Sequence, residues 1–289
     1  MEFPVEVALA QAVPELPTGP GWWFEGKFDG HRMVLRRGAE SVDLYTRAGR
    51  IVTSVWMDLA VAGLQLRPGT VLDGEAVIWR NGRIDFGAAQ ARASSSLTRA
   101  RALARELPAT YAIFDLLAHP DHGDVRGRSY EARRELLVEL VGALGPPLQV
   151  VPATDDREVA MVWFEVLQAQ GIEGLVAKRA SGTYRGGRRD WRKVRHAETS
   201  DARVVGYAGT SARPGHLLLE LTDGRRIRSQ RVTGTLAAQI ARAAAAAGPG
   251  TRIRTDDGET YTTYEGAPLL VEVLAGTSRH AVVTVTRLR

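Results

Sequence analysis

Short runs of alternating apolar and polar residues, divided by Asp-Gly, Asn-Gly and Arg-Gly pairs, fill much of the sequence up to about residue 117. Alternation with a period of two is typical of β-strands, and these glycine-containing pairs favour turns. Strands are therefore predicted at residues 22–27, 32–36, 42–46, 71–79 and 111–117. Because tight turns follow so many of the strands, we expect largely antiparallel sheets rather than regular βαβ units.

Helices interrupt these strands. The spacing of apolar residues predicts helices at 98–107, 129–141 and 158–170. Ser129 is a suitable N-cap for the second of them, and Gly171 a suitable stop for the third. The opening segment up to residue 21 is rich in proline and glycine and predicts an irregular lead-in. The mixture indicates an α+β fold.

A second domain is predicted to begin near residues 197–201, where the pattern becomes mostly strand. Strands are predicted at 203–207, 216–221, 225–228, 251–254, 269–274 and 282–287, with one helix at 234–247. A set of about five strands with one inserted helix suits a small barrel such as the OB-fold. Other small β-domains fit this periodicity nearly as well. We therefore divide the chain into domains 1–197 and 198–289.

Composition limits the class of protein. The 289 residues include no cysteine, which excludes disulfides and cysteine-ligated metal sites. The start of the chain lacks the pattern of a signal peptide, and no apolar run is long enough for a membrane span, so we expect a cytoplasmic protein with no membrane partner. The net charge of +5 favours an anionic partner, nucleic acid first. A charge this modest also occurs in proteins that bind no nucleic acid.

The segment Glu25-Gly-Lys27-Phe-Asp29-Gly30-His-Arg32 follows a predicted strand. A lysine here is a candidate nucleophile toward a carbonyl or a phosphorus, provided that burial or neighbouring cations lower its pKa. A solvated lysine beside a turn is the plain alternative.

Further candidates follow along the chain. Two separated glutamates can hold a divalent metal ion, several cations can neutralise a polyphosphate, and an aromatic ring can stack on a base. The residues concerned are Glu75 after Asp73-Gly74, Phe114, Glu173 with Lys178, and the run Trp191-Arg-Lys193-Val-Arg195. Each fits an ordinary core or surface position equally well, so spacing alone leaves the choice open.

The order of these segments carries more information than any one of them. It resembles the covalent nucleotidyltransferases, the superfamily of ATP-dependent DNA ligases, RNA ligases and mRNA-capping enzymes. The resemblance is strongest to small bacterial DNA ligases and to the ligase module of bacterial end-joining proteins. It rests on residues 25–32, Tyr45-Thr-Arg47-Ala-Gly49, Leu72-Asp-Gly-Glu75, Ile113-Phe114-Asp115-Leu-Leu, Glu173-Gly-Leu-Val-Ala-Lys178 and Trp191-Arg-Lys193-Val-Arg195.

The resemblance implies a fold and a role for each matching residue. The first domain would have the ATP-grasp-like antiparallel sheets of a nucleotidyltransferase, and the second would be an OB-fold. Lys27 would accept AMP from ATP, helped by Asp29. Other roles follow by position: Glu25 and Phe114 at the adenine; Arg32, Arg47 and Glu75 near the ribose and phosphate; Glu75 and Glu173 at Mg²⁺ or Mn²⁺; and Lys178, Lys193 and Arg195 at the α-phosphate.

The sequence departs from the family pattern at two places. Arg195 stands where lysine is usual, and a rigid guanidinium differs from a point charge. In the C-terminal stretch from Ser278, Arg287 occupies the arginine position of a motif that orients pyrophosphate. Arg289 replaces the acidic residue of that motif, and its lysine is missing. This second departure predicts slow self-adenylylation.

The implied activity is the sealing of nicks in duplex DNA through lysyl-AMP. We expect a monomer that acts at the nucleoid on nicked or broken DNA, with unidentified repair or end-joining partners. Phosphate contacts are expected in the arginine-rich segments 92–105, 185–192 and 225–231. Two alternatives stay open: an RNA ligase or capping-type enzyme, and a nick- or end-binding protein without turnover.

Overall fold

The molecule is divided into two units, each with its own sheets and its own buried core. The structure, a computed structural model, describes residues 1–196, 198–232, 234–248, 250–255, 258–275 and 282–289. Contacts separate the chain into Met1–His196 and Ala197–Arg289. The predicted stretch from Ser278 to His280 lies outside the described residues.

The first unit alternates strands with helices along its whole length. Its elements are β1 (Ala10–Ala12), β2 (Trp22–Gly26), β3 (His31–Arg37), β4 (Val42–Thr46), α1 (Met57–Gly63), β5 (Val71–Arg80), β6 (Arg83–Ile84), α2 (Phe86–Ala93), α3 (Leu97–Glu106), β7 (Ala109–His119), β8 (Gly123–Asp124), α4 (Tyr130–Val141), β9 (Leu148–Val150), β10 (Ala153–Thr154), α5 (Arg157–Leu167), β11 (Gly174–Arg179) and β12 (Trp191–Arg195).

These strands form two sheets. The first has the order β1-β12-β11-β2-β10, and the second the order β4-β3-β5-β7-β8, with β6 on β5 and β9 on β7. Most neighbouring strands are antiparallel, although β1 with β12 and β7 with β9 are parallel pairs. The α+β prediction is confirmed.

Three pairs of Asn or Asp followed by Gly differ in the local structure that they form. The Asn81-Gly82 pair has φ of 51° and 76°, the left-handed conformations that a two-residue hairpin requires, and it joins β5 to β6. Asp29-Gly30 is not a hairpin turn, because β2 and β3 belong to different sheets. Asp73-Gly74 is not a turn either. It lies inside β5, at a shift of register against β7.

Helix ends follow the predicted caps. The Ser129 side chain accepts a hydrogen bond from the Ala132 backbone N at the start of α4. After α5 a 3-10 turn, Gln168–Gln170, ends at Gly171, whose φ is 81°. Both predictions are confirmed. The lead-in was predicted to be irregular, and this is wrong for β1, which gains its hydrogen bonds only by pairing with the distant β12.

Three apolar clusters hold the first unit together. One packs the second sheet against the helices around Trp56, Leu59 and Leu137. Another, with Phe24 and Ala160, lies beneath α5. The third joins the inner faces of the two sheets and includes Trp191. Charged groups are buried beside this third cluster, so the space between the sheets is only partly apolar.

The second unit is a closed barrel. Its elements are β13 (Glu198–Thr210), β14 (Arg213–Leu221), β15 (Arg226–Ser229), α6 (Gly234–Ala247), β16 (Arg252–Arg254), β17 (Thr260–Thr263), β18 (Leu270–Ala275) and β19 (Val282–Leu288). The sheet order β14-β15-β19-β18-β13 closes through the β13–β14 pair. Ile240 and Ala244 of α6 pack on the barrel core. The OB-like prediction is confirmed.

In the part of the chain that the structure describes, none of the helices is both long and apolar enough to span a membrane.

Candidate active site

Lys27 lies where the chain leaves the first sheet for the second. The Lys27 backbone N donates to the Gly174 carbonyl at 2.8 Å, and the Glu173 backbone N donates to the Lys27 carbonyl at 2.9 Å. Gly174 has φ of 150°, and a Cβ there would be 2.1 Å from the Val194 carbonyl oxygen. This close approach of three backbone segments places Glu173 directly beside Lys27.

The Lys27 amine pairs with the Glu173 carboxylate. The other oxygen of Glu173 lies 2.9 Å from Nε of Arg195 on β12. Lys27 and Glu173 are mostly buried, with 16% and 13% of their side chains exposed, whereas Arg195 is 47% exposed. One carboxylate is therefore shared by two cations.

Lys193, also on β12, adds a third cation. Burial, together with the positive charges of Arg195 and Lys27, lowers its pKa below the usual lysine value. Three cations around Glu173 leave an excess of positive charge, which is suited to binding a polyphosphate.

Glu75 brings a carboxylate to the same place from the second sheet. Its Oε1 accepts a hydrogen bond from the Gly30 backbone N at 3.1 Å. Burial raises the pKa of Glu75 to about 7, against the opposing effect of Arg32 and Lys27, and the charge of Asp29 raises it further. Gly30 itself must be small, since a Cβ would lie 2.3 Å from the Ala76 carbonyl oxygen.

Arg32 is fixed by an ion pair and two aromatic rings. Its Nε and Nη2 lie 3.1 and 2.6 Å from the Asp73 carboxylate. Its guanidinium carbon is 5.2 Å from the ring centre of Phe114 and 5.4 Å from that of Trp191. Phe114 is half-buried and meets Trp191 edge to face. Arg32 and Phe114, which were both predicted for the site, therefore lie on one wall of it.

Glu25 and Lys178 form a buried pair beneath this wall. Lys178 Nζ lies 2.8 Å from Glu25 Oε2, and the two side chains are 1% and 2% exposed. Tyr130 of α4 donates a hydrogen bond to the same carboxylate. We predicted that Lys178 balances charge at the α-phosphate, but its ammonium already has protein partners and faces the interior.

Further residues that the sequence reasoning did not assign support the site. Arg133 of α4 makes a two-point ion pair with Asp115, at 2.7 and 3.0 Å. The Tyr184 hydroxyl donates to Asp73 at 2.6 Å and accepts from the Ala8 backbone N at 3.1 Å. Nothing in the local sequence around Arg133 or Tyr184 indicates these partners, although Asp115 belongs to one of the motifs.

Two further predicted residues lie on other elements. Arg47 is exposed in the turn after β4. Arg287 is in the second unit, on β19, where it lies 2.8 Å from Glu272 of β18.

A metal site is not preformed among the described residues, which contain no group of three or more His, Asp or Glu side chains able to hold a metal ion. The predicted pair, Glu75 and Glu173, nevertheless supplies the carboxylate oxygens that Mg²⁺ prefers. Burial disfavours the charge on Glu75, and a nearby cation would relieve that effect.

The arginine-rich segment 92–105 was predicted to contact phosphate, and for Arg92 this is wrong. Arg92 is fully buried and forms an ion pair with Asp58 of α1. Arg99, Arg101 and Arg105 of the same segment are exposed and stay candidates.

Comparison with known proteins gives consistent matches. The sequence profile of the ATP dependent DNA ligase domain matches residues 7–195. The chain is 36% identical over 225 residues to DNA ligase C2 of Mycolicibacterium smegmatis, covering 76% of this chain and 62% of that protein. It is likewise 36% identical over 227 residues to DNA ligase C of Mycobacterium tuberculosis, covering 75% and 62%. The chain therefore spans about three fifths of the length of these relatives.

A solved structure extends the likeness to both units. The ligase domain of LigD from M. tuberculosis is 26% identical, with a TM-score of 0.55, over 98% of this chain and 95% of that one.

Proposed function

Because this chain belongs to the family of ATP-dependent DNA ligases, we propose that it joins 5′-phosphate and 3′-hydroxyl ends in duplex DNA through AMP bound to Lys27. The observation that carries the proposal is the cluster at Lys27. A mostly buried amine contacts a carboxylate, Glu173, within an excess of positive charge from Lys193 and Arg195. Such a cluster suits a lysine that attacks an anionic nucleotide.

In the first step the Lys27 nitrogen attacks the α-phosphorus of ATP. An N–P bond forms, the bond from that phosphorus to the bridging oxygen breaks, and pyrophosphate leaves. Glu173 contacts the amine and would accept its proton. Lys193 and Arg195 would stabilise the charge on the phosphate oxygens.

Two further transfers complete the reaction. The 5′-phosphate of the DNA attacks the bound AMP, and the Lys27 amine leaves and is restored. The 3′-hydroxyl then attacks the 5′-phosphorus, which forms the phosphodiester and releases AMP. Both are in-line displacements that depend on positioning and on charge more than on acid–base catalysis.

We assign Glu75 and Glu173 to a divalent metal ion, which when bound would neutralise charge on the phosphates. Arg32 and Phe114 are assigned to the ribose and adenine side, since they share one wall of the site. Arg47 and Arg287 are assigned to phosphate contacts only by family resemblance. Action on DNA would place the protein at the nucleoid, and a monomer stays a prediction.

The test is incubation with ATP labelled at the α-phosphate and Mg²⁺ or Mn²⁺, followed by a denaturing gel. We expect the protein to become labelled and nicked duplex DNA to remove the label as the strands are joined. Lys27→Arg is the matched control, because it keeps the charge beside Glu173 but cannot lose its proton. It should stay unlabelled.

Two results would contradict the proposal. One is an unlabelled protein whose intact mass shows no AMP already attached. The other is a labelled protein that keeps its AMP in the presence of nicked DNA, but that turns over with a nicked RNA or with GTP in place of ATP. The second result would favour the RNA ligase or capping reading.

A further inference from the structure

Tyr184 lies in the connection from β11 to β12, and only 4% of it is exposed. Its hydroxyl joins two parts of the first unit that are distant in sequence. It donates to Oδ2 of Asp73 on β5 at 2.6 Å, and it accepts from the backbone N of Ala8, just before β1, at 3.1 Å. The three transfers proposed above do not use this hydroxyl, so its place here needs another reason.

The two partners determine the direction of the hydroxyl proton. The Ala8 N–H is a donor, so the Tyr184 oxygen must accept there and must direct its own proton to the Asp73 carboxylate, which can only accept. Burial raises the pKa of Tyr184 well above its usual range, and the charge of Asp73 raises it further. The hydroxyl therefore keeps its proton and donates it to Asp73 at neutral pH.

Asp73 in turn holds Arg32. The buried carboxylate accepts from Nε of Arg32 at Oδ1 and from Nη2 at Oδ2, and this second oxygen is the one that Tyr184 also contacts. The ion pair occupies the Nε edge of the guanidinium, so Nη1 is the nitrogen left for a ligand. Arg32 keeps 16% of its side chain exposed. The direction of Nη1 therefore depends on how the carboxylate is held.

The aromatic neighbours of Arg32 do not set that direction. The rings of Phe114 and Trp191 attract the guanidinium through their faces, which restrains its distance more than its rotation. The hydrogen bonds to Asp73 are directional. The terminal torsion of an aspartate is broad, however, and needs a second anchor to hold one value. The Tyr184 hydroxyl supplies that anchor.

We propose that Tyr184 is a positioning residue for the nucleotide, because through Asp73 it fixes the direction in which Arg32 meets the ribose side of ATP. The proposal rests on the ligase function proposed above, in which Arg32 is assigned to the ribose and adenine side. It also gives the segment before β1 a part in the site, since the Ala8 N–H orients the hydroxyl.

The test measures the rate of Lys27 labelling at a series of ATP concentrations. Tyr184→Phe keeps the ring and removes only the hydroxyl. We expect the ATP concentration that gives half the maximal rate to rise about fivefold. The rate at saturating ATP should change by less than about twofold, because Arg32 contacts the bound nucleotide rather than the reacting phosphorus. Damage to the Lys27 cluster would lower the rate at saturation instead.

A second substitution shows whether Tyr184 acts through Arg32. Arg32→Lys keeps a charge beside Asp73 but loses the fork. In that background Tyr184→Phe should cause no further rise in the half-saturating ATP concentration. Tyr111→Phe is the matched control, because it removes a fully buried hydroxyl that donates to the Met33 carbonyl at 2.8 Å. It should leave both kinetic constants unchanged, and urea denaturation compares the stability of the two phenylalanine variants.

Three results would overturn the proposal: an unchanged half-saturating ATP concentration in Tyr184→Phe, a fall confined to the rate at saturation, or additive effects of Tyr184→Phe and Arg32→Lys. If Tyr184→Phe does not fold, Arg32→Lys decides by itself. An unchanged ATP requirement in Arg32→Lys would show that there is no nucleotide contact for Tyr184 to position, whereas a raised requirement supports the proposal.

Failure of the ligase function gives a different result. In that case the unsubstituted protein acquires no label, and ATP binding is measured by calorimetry on the whole chain in a Lys27→Ala background. Tyr184→Phe should then weaken ATP by the same factor of about five, which would leave the positioning role intact. Equal affinities with and without the hydroxyl would overturn that role as well.

Discussion

Glu75 is the residue whose charge depends most closely on its surroundings. Burial raises its pKa from 4.5 to about 7, while Lys27 and Arg32 partly offset this. The side chain is thus close to half ionised near neutral pH. A cation that binds there would complete the ionisation and release a proton.

This perturbation predicts a pH-dependent contribution to stability. Well below pH 4.5 the side chain is neutral in both the folded and the unfolded chain. As the pH rises toward 7, only the unfolded chain ionises, so stability is lost progressively up to the folded pKa. Glu75→Gln is neutral throughout. Its free energy of unfolding, relative to the unsubstituted protein, should rise by about 2–3 kcal/mol between pH 5 and pH 8.

Urea denaturation at several pH values measures this difference. Glu220→Gln is a useful control, because Glu220 is paired with Arg203 at the surface and its pKa is lowered. Its effect should have the opposite sign and a lower pH range: the glutamine variant should lose relative stability as the pH rises toward about 5, and its difference from the unsubstituted protein should stay nearly constant between pH 5 and pH 8. If the free energy of unfolding of Glu75→Gln differs from that of the unsubstituted protein by the same amount at all pH values, the pKa of Glu75 is not perturbed.

At the level of elements, the junction of β2, β11 and β12 determines where Lys27 points. The junction requires glycine at position 174 for two reasons. Its φ of 150° suits glycine, and the Val194 carbonyl leaves no space for a Cβ. The backbone bonds between Lys27 and residues 173–174 depend on this approach.

Gly174→Ala should therefore reduce both stability and self-adenylylation. Strain together with the steric overlap predicts a loss of about 2–4 kcal/mol in the free energy of unfolding. Gly82→Ala is the matched control. Its φ is also positive, at 76°, but its Cβ would meet open space, so it should cost about 1 kcal/mol and leave AMP transfer unchanged. Equal effects of the two substitutions on AMP transfer would contradict this account of the junction.

Local pattern was sufficient for the elements that carry their own signal. The strand at 42–46 and the helix at 234–247 have the predicted bounds. β1 was missed because three residues with no strong pattern become a strand only through their partner β12. Helix α1 was missed because its N-terminus has no side-chain cap and it is only seven residues long.

The same distinction holds for the site. Motif order predicted Lys27, Glu75, Arg32 and Phe114, and the structure brings them to one region. It did not predict that Lys178 faces inward or that Arg92 pairs with Asp58. A basic residue has the same pattern in the sequence whether it faces phosphate or a buried carboxylate, and only the tertiary contacts decide between them.

For the whole molecule, the division of the core has consequences for function. The clusters that include Trp56, Phe24 and Trp191 all lie within Met1–His196, and the barrel core lies within the second unit. Every residue assigned to the nucleotide, apart from Arg287, is in the first unit. Folding and base recognition should therefore be properties of that unit alone.

A fragment of residues 1–196 tests this. We expect a cooperative urea transition and an affinity for adenosine equal to that of the whole chain, because Lys178, Glu25 and Phe114 keep all their partners. If Arg287 serves the first step, self-adenylylation should fall roughly tenfold or more in the fragment, and Arg287→Ala in the whole chain should reproduce that fall. Undiminished labelling of the fragment would mean that the first unit performs the first step unaided. Arg289 in place of the acidic residue would then carry no cost for that step.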